Sequence, residues 1–111
     1  MEARKQELRA LLEAYYRSCG WKVEHAADGT VRASGIGGVT WIGLPVVRAD
    51  VESADFQERL LALSEERMPG GGERCPLELL PDEDCADDIR TLLDRLRLRE
   101  RGHVEIYSLA A

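Results

Sequence analysis

The sequence predicts a small α+β fold: a helix, a three-stranded antiparallel meander, then helix, strand, helix and strand, with the helices mainly on one face of a single sheet. Two observations carry this reading. Between Trp21 and Val47 the apolar residues recur at every second position, broken by Ala27-Asp28-Gly29 and by Gly35-Ile36-Gly37-Gly38, so short strands follow one another. Before Gly20 and after Ser53 the spacing is that of amphipathic helices. At 111 residues the chain reads as one domain, residues 1–111, too short for separate catalytic and cofactor units.

In the first helix Leu8, Leu11, Leu12, Tyr15 and Cys19 form one apolar stripe opposite Arg4, Glu7, Glu13 and Arg17, and Gly20 supplies a left-handed stop. The first strand then sets Trp21, Val23 and His25 on one face and Lys22 and Glu24 on the other. A three-residue loop, Ala27-Asp28-Gly29, pairs Val23 with Ala33 and Glu24 with Arg32, and it keeps the apolar positions together better than a two-residue turn does. If Gly35 to Gly38 form a four-residue loop, Ile42 lies beside Val31 in the core and Trp41 beside Arg32 on an open face. A loop one residue shorter or longer reverses that assignment.

The third strand, Val39 to Val47, is apolar on both faces, and Pro45 is expected to end it or to mark an edge. Ser53 is the expected N-cap of a second helix that directs Phe56, Leu60 and Leu63 inward and stops at Met68-Pro69. Leu77 to Leu80 make a fourth strand. Cys85, Ile89, Leu92, Leu93 and Leu96 mark a third helix, and Val104 to Leu109 a closing strand.

Composition narrows function mainly by exclusion. A net charge of -6 and the scarcity of clustered Lys and Arg argue against nucleic-acid binding. No apolar run reaches the roughly 20 residues of a membrane span. Met1-Glu2-Ala3-Arg4-Lys5 leads into the helix instead of an apolar leader, so a cytoplasmic location is expected. Cys19, Cys75 and Cys85 lack paired spacing and read as free thiols, with Cys75, in a glycine-rich loop before Pro76, the most exposed. With His25 or His103 they make no short-spaced zinc set, so neither a metal nor a cofactor is expected.

Asp82, Glu83, Asp84, Asp87 and Asp88 sit where carboxylates cap a helix start and oppose its dipole, without the alternating order of a calcium loop. The runs Gly35 to Gly38 and Gly70 to Gly72 lack the helix start that a phosphate loop needs, and turn chemistry accounts for both. His25 and His103 read as packed histidines rather than general bases. The order helix, three strands, helix, strand resembles restriction-endonuclease-like nuclease cores and, more loosely, small secretion-chaperone-type dimers. That likeness is of fold alone. A nuclease core needs an Asp on its second strand and Glu-x-Lys on its third, where this chain has Val31-Arg32-Ala33 and Trp41-Ile42-Gly43, so the metal-binding carboxylates are absent.

The expected function is therefore a non-catalytic, acidic interaction or accessory module that binds a protein partner, or a second copy of itself, through an open sheet face. Trp41 and Val39 would be its anchor, and Arg32 and Glu24 its polar rim. Two alternatives belong to other classes. One is a small enzyme or ligand carrier with a pocket lined by Trp21, His25 and Tyr107. The other is an inhibitor or immunity-type protein that presents Asp82 to Asp88 to a basic target.

Overall fold

A computed structural model describes residues 2–69 and 72–107, with the backbone alone for Glu2 and His25. The fold is α+β, with one mixed five-stranded sheet and four α-helices. In chain order these are α1 (Glu2–Ser18), β1 (Lys22–His25), β2 (Val31–Ser34), β3 (Thr40–Val46), α2 (Arg48–Val51), α3 (Phe56–Ser64), β4 (Leu77–Pro81), α4 (Ala86–Arg95) and β5 (Val104–Ile106). The strands lie side by side in sequence order; β1, β2 and β3 pair antiparallel, whereas β3, β4 and β5 run parallel. No described helix is long and apolar enough to cross a membrane.

Helices cover both faces of the sheet, which corrects the expectation of helices mainly on one face. Alternation along β3 makes this visible. Ile42, Leu44 and Val46 join Leu77 and Leu79 of β4, Phe56, Leu60 and Leu63 of α3, and Ile89 and Leu93 of α4 in one core. Leu8, Leu12 and Tyr16 of α1 pack with Val31, Ala33, Val47 and Leu80 in a second core on the opposite face. Topology supplies the reason. Parallel strands need crossover connections of one hand, and two successive crossovers that advance in the same direction lay α3 and α4 on the same side. The N-terminal α1 is free of that constraint and covers the other side.

The β1–β2 register has Val23 opposite Ala33 and Glu24 opposite Arg32, as the three-residue loop requires. The β2–β3 register differs from the four-residue expectation. Gly35 donates its N–H to the Val39 carbonyl at 2.9 Å, so the turn is Ile36, Gly37 and Gly38, closed by Gly37 at φ 80° and Gly38 at φ 82°. Two adjacent left-handed glycines permit this tighter reversal. The register slips by one: Trp41 faces Ala33, and Ile42 faces Arg32.

Pro45 lies inside the central strand and does not end it. The Ile42 N–H bonds the Pro76 carbonyl on the β4 side at 2.9 Å, so by alternation position 45 turns its nitrogen toward β2. There β2 has already run out, its last pairing being Val31 with Gly43, and the missing donor interrupts no ladder.

Other boundaries also move. Asp55, not Ser53, occupies the N-cap position of α3, and its carboxylate accepts from the Ser53 hydroxyl instead of from the helix backbone. The short α2 was not foreseen. Gly70, Gly71 and the predicted strand end at Ser108-Leu109 lie outside the described residues.

The exposed cysteine is Cys19, whereas Cys75 and Cys85 are buried, the reverse of the expectation for Cys75. All three are free thiols. In α1 the buried stripe is Leu8, Leu12 and Tyr16, and Leu11 and Tyr15 stand outward at 43% and 38% exposure.

Leu93 is wholly buried between α4 and the sheet, so Leu93→Ala is expected to cost about 2–5 kcal/mol in chemical denaturation. Leu11→Ala, on the exposed flank of α1, is expected to change stability by no more than about 0.5 kcal/mol. Equal losses in the two variants would contradict the two-core architecture.

Candidate functional site

Position 43 determines how α1 meets the sheet. A Cβ built on Gly43 would lie 2.9 Å from the Tyr16 hydroxyl oxygen and 3.2 Å from Cδ1 of Leu12, so only glycine admits the helix at this distance. The space left by the missing side chain is filled by the Tyr16 ring. Gly43 pairs with Glu78 in the β3–β4 register, and the Tyr16 hydroxyl donates to the Glu78 carboxylate at 2.8 Å. Glu105 stands beside Glu78 across the β4–β5 register, which puts two carboxylates in adjacent positions on the α1 face.

Around Glu78 the aromatic residues converge. Trp21 and Trp41 meet edge to face, with centroids 5.3 Å apart at 88°, and Tyr15 meets Tyr107 at 4.5 Å and 79°. Tyr15, Tyr16, Cys19, Trp21, Trp41 and Glu78 line a niche of about 50 Å³. Cys19, Trp21 and Trp41 are shared with a shallower groove of about 400 Å³, whose other wall is Gly35, Ile36 and Val39 at the glycine turn. Ile36 is 100% exposed at the tip of that turn.

The electrostatics of the niche favour neutral groups. Burial raises the pKa of Glu78, and the neighbouring Glu105 charge raises it further, against the hydrogen bond from Tyr16, which lowers it. Tyr16 is held protonated mainly by its own burial and then by the Glu78 charge. Elsewhere burial pushes the Cys85 thiol up to about 11 and raises Cys75 as well, so neither buried sulfur is an activated nucleophile. Among the described residues no group of three or more His, Cys, Asp and Glu side chains is placed to hold a metal ion.

The sequence-predicted site residues fall in two places. Trp41 and Val39 line the groove on the α1 face. Arg32 and Glu24 pair across β1 and β2 on the opposite face, because the one-residue slip at the glycine turn separates Trp41 from Arg32. Arg32 is also engaged there, bonding Glu66 beyond α3 at 3.1 Å and Asp28 at 3.3 Å. The two pairs do not make one patch. Of the pocket expected from Trp21, His25 and Tyr107, Trp21 lines the niche, Tyr107 stacks on Tyr15, and the His25 side chain lies outside the described residues. His103 donates through Nε2 to the Ser64 carbonyl at 2.7 Å, a structural contact that ties the approach to β5 to the end of α3.

In the acidic run, Asp82 accepts from the Glu83 N–H and from Arg4, Asp87 pairs with Arg90, and Asp88 with Arg48. Glu78 and Tyr16 escaped the sequence reading. Their signal was present as the lone carboxylate of Leu77-Glu78-Leu79-Leu80 and the adjacent tyrosines, but choosing Tyr16 over Tyr15 needs the rotation of α1. No protein-family model, curated protein or solved structure matches this chain.

Gly43→Ala is expected to cost about 1–3 kcal/mol by forcing Tyr16 and Leu12 off the sheet, and a melting temperature equal to the parent's would contradict the close approach. A second expectation concerns charge. Because the folded protein holds the Glu78 proton above the ordinary glutamate value of 4.5, the Glu78 contribution is favourable below that value and lost as pH rises through the raised folded pKa. Glu78→Gln keeps an acceptor for Tyr16 and removes the charge. It should therefore melt above the parent at about pH 7, with the difference shrinking toward about pH 4, where the parent carboxyl is protonated. A variant less stable than the parent at every pH would contradict the assigned shift.

Proposed function

We propose that the chain is a non-catalytic interaction module that docks a protein partner along the outer flank of α1 and the adjoining aromatic groove. The observation that carries this reading is the continuity of apolar side chains left uncovered there. Leu11, Tyr15 and Cys19 follow one another at helical spacing on the exposed side of α1, and the Trp21–Trp41 groove and the projecting Ile36 continue from Cys19. Large aromatic rings beside a wholly exposed aliphatic residue, with polar surface around them, have the composition of an interface core. Trp41 and Val39 keep the role of anchors, whereas Arg32 and Glu24 lie across the sheet, where Arg32 bonds Glu66 and Asp28.

Trp41 packs on Trp21 and supports the α1 core, so its truncation would mix stability with binding. Ile36 separates the two. Ile36→Ser is expected to leave the melting temperature within about 1 °C of the parent, since surface changes away from packing are nearly neutral. In panning against a random displayed-peptide library, the parent should enrich binding sequences that Ile36→Ser and Leu11→Ser bind at least about tenfold more weakly, a loss on the scale of an interface anchor. Failure to enrich any sequence, or equal binding by the variants, would overturn the reading.

A further inference from the structure

Glu78 departs from the pattern of the other partly buried carboxylates of this chain. Glu13, at 15% side-chain exposure, pairs with Arg17; Asp50, at 18%, pairs with Lys5 at 3.0 Å; Asp82, at 21%, pairs with Arg4 at 3.1 Å. Glu78 is also withdrawn from solvent, yet among the described residues its carboxylate has the Tyr16 hydroxyl and no cationic nitrogen. The neighbouring group on the same face is another carboxylate, Glu105. A half-buried carboxylate without a counter-ion is unfavourable, and a fold retains one at a measurable loss of stability.

The walls of the niche have the chemistry to accept that missing charge. Trp21, Trp41 and Tyr15 are the side chains whose ring faces attract a cation, indole most strongly. None of the niche residues is basic. A bare alkylammonium would satisfy Glu78 alone. A lysine or arginine residue offers Glu78 its charged head and lays its methylene stem along the aromatic rings. The chain's net charge of -6 favours the approach of such a segment.

We propose that the niche receives the side chain of a lysine or arginine residue from a partner protein, with Glu78 as its counter-ion and Tyr15, Trp21 and Trp41 as its aromatic walls. This assignment rests on the interaction-module reading and supplies the chemistry of the partner. Tyr16 donates its hydroxyl to that carboxylate.

Trp21 and Trp41 are the chain's two tryptophans, so intrinsic fluorescence reports on the niche directly. Acetyl-Gly-Lys-Gly-amide and acetyl-Gly-Arg-Gly-amide, titrated at constant ionic strength, should produce a saturable change, and acetyl-Gly-Gln-Gly-amide should not. Glu78→Gln, shown to be folded by its melting curve, should weaken the cationic peptides by at least about tenfold. Tyr16→Phe should bind within about threefold of the parent, because the counter-ion remains. Absence of a saturable change with both cationic peptides, or equal binding by Glu78→Gln, would overturn the assignment. Tetramethylammonium binding as tightly as the peptides would overturn the partner-chain source in favour of a small ammonium compound. The displayed peptides separate this proposal from the one beneath it. Enriched sequences that lack basic residues and bind Glu78→Gln like the parent would refute the cation site and leave the interaction surface standing. Enriched sequences that ignore Ile36→Ser and Leu11→Ser would refute the surface itself.

Discussion

The close approach of α1 to β3 at Gly43 is the constraint from which the rest of this face follows. Without a side chain at that position, Leu12 and Tyr16 settle directly on the strand, and their burial with Leu8 makes the second core. Seating the helix on Leu8, Leu12 and Tyr16 also fixes its rotation. Leu11, Tyr15 and Cys19 then point away from the sheet, and the Tyr16 hydroxyl arrives at Glu78. A helix held farther out would expose the cleft over β3 and β4 and leave Glu78 in water. One glycine thus links the packing of a core to the composition of a surface niche.

The two cores share one sheet but are built by different connections. The parallel half, β3 to β5, lies against α3 and α4, and its strands carry Ile42, Leu44, Leu77, Leu79 and Val104 toward those helices. The antiparallel half lies chiefly against α1. Ion pairs connect these parts at the periphery: Lys5 of α1 reaches Asp50 of α2, Arg4 reaches Asp82 after β4, and Arg32 of β2 reaches Glu66 after α3. Solvent screens such peripheral pairs, so their main effect is to orient elements that apolar burial has already brought together.

Against that background, the region around Glu78 is organised differently. Elsewhere a partly buried carboxylate has been given an arginine or a lysine; here the fold supplies aromatic rings and a second carboxylate. The arrangement sets a carboxylate without a cationic partner among the described residues behind aromatic walls. It lies beside the uncovered flank of α1, next to the apolar groove.

Much of the fold was legible locally. Gly20 and the apolar periodicity marked the end of α1, the spacing of Ile89, Leu92 and Leu93 marked α4, and Ala27-Asp28-Gly29 set the β1–β2 register, since each signal acts within a few residues. What the sequence could not decide was anything that depends on a rotation or a shift of one residue. Whether Gly35 to Gly38 closes with three residues or four moves Trp41 from one face to the other, and both closures satisfy glycine equally well. Whether Tyr15 or Tyr16 is buried turns on about 100° of helix rotation, which is set by the hole at Gly43 far along the chain. The sequence by itself determined the five strands and the three longer helices, and an acidic composition with no apolar run as long as a membrane span. The tertiary structure alone decided which helix covers which face and that Glu78 meets the aromatic rings, because those contacts join separate elements, Glu78 lying more than 30 positions from Tyr16, Trp21 and Trp41, and no local pattern encodes them.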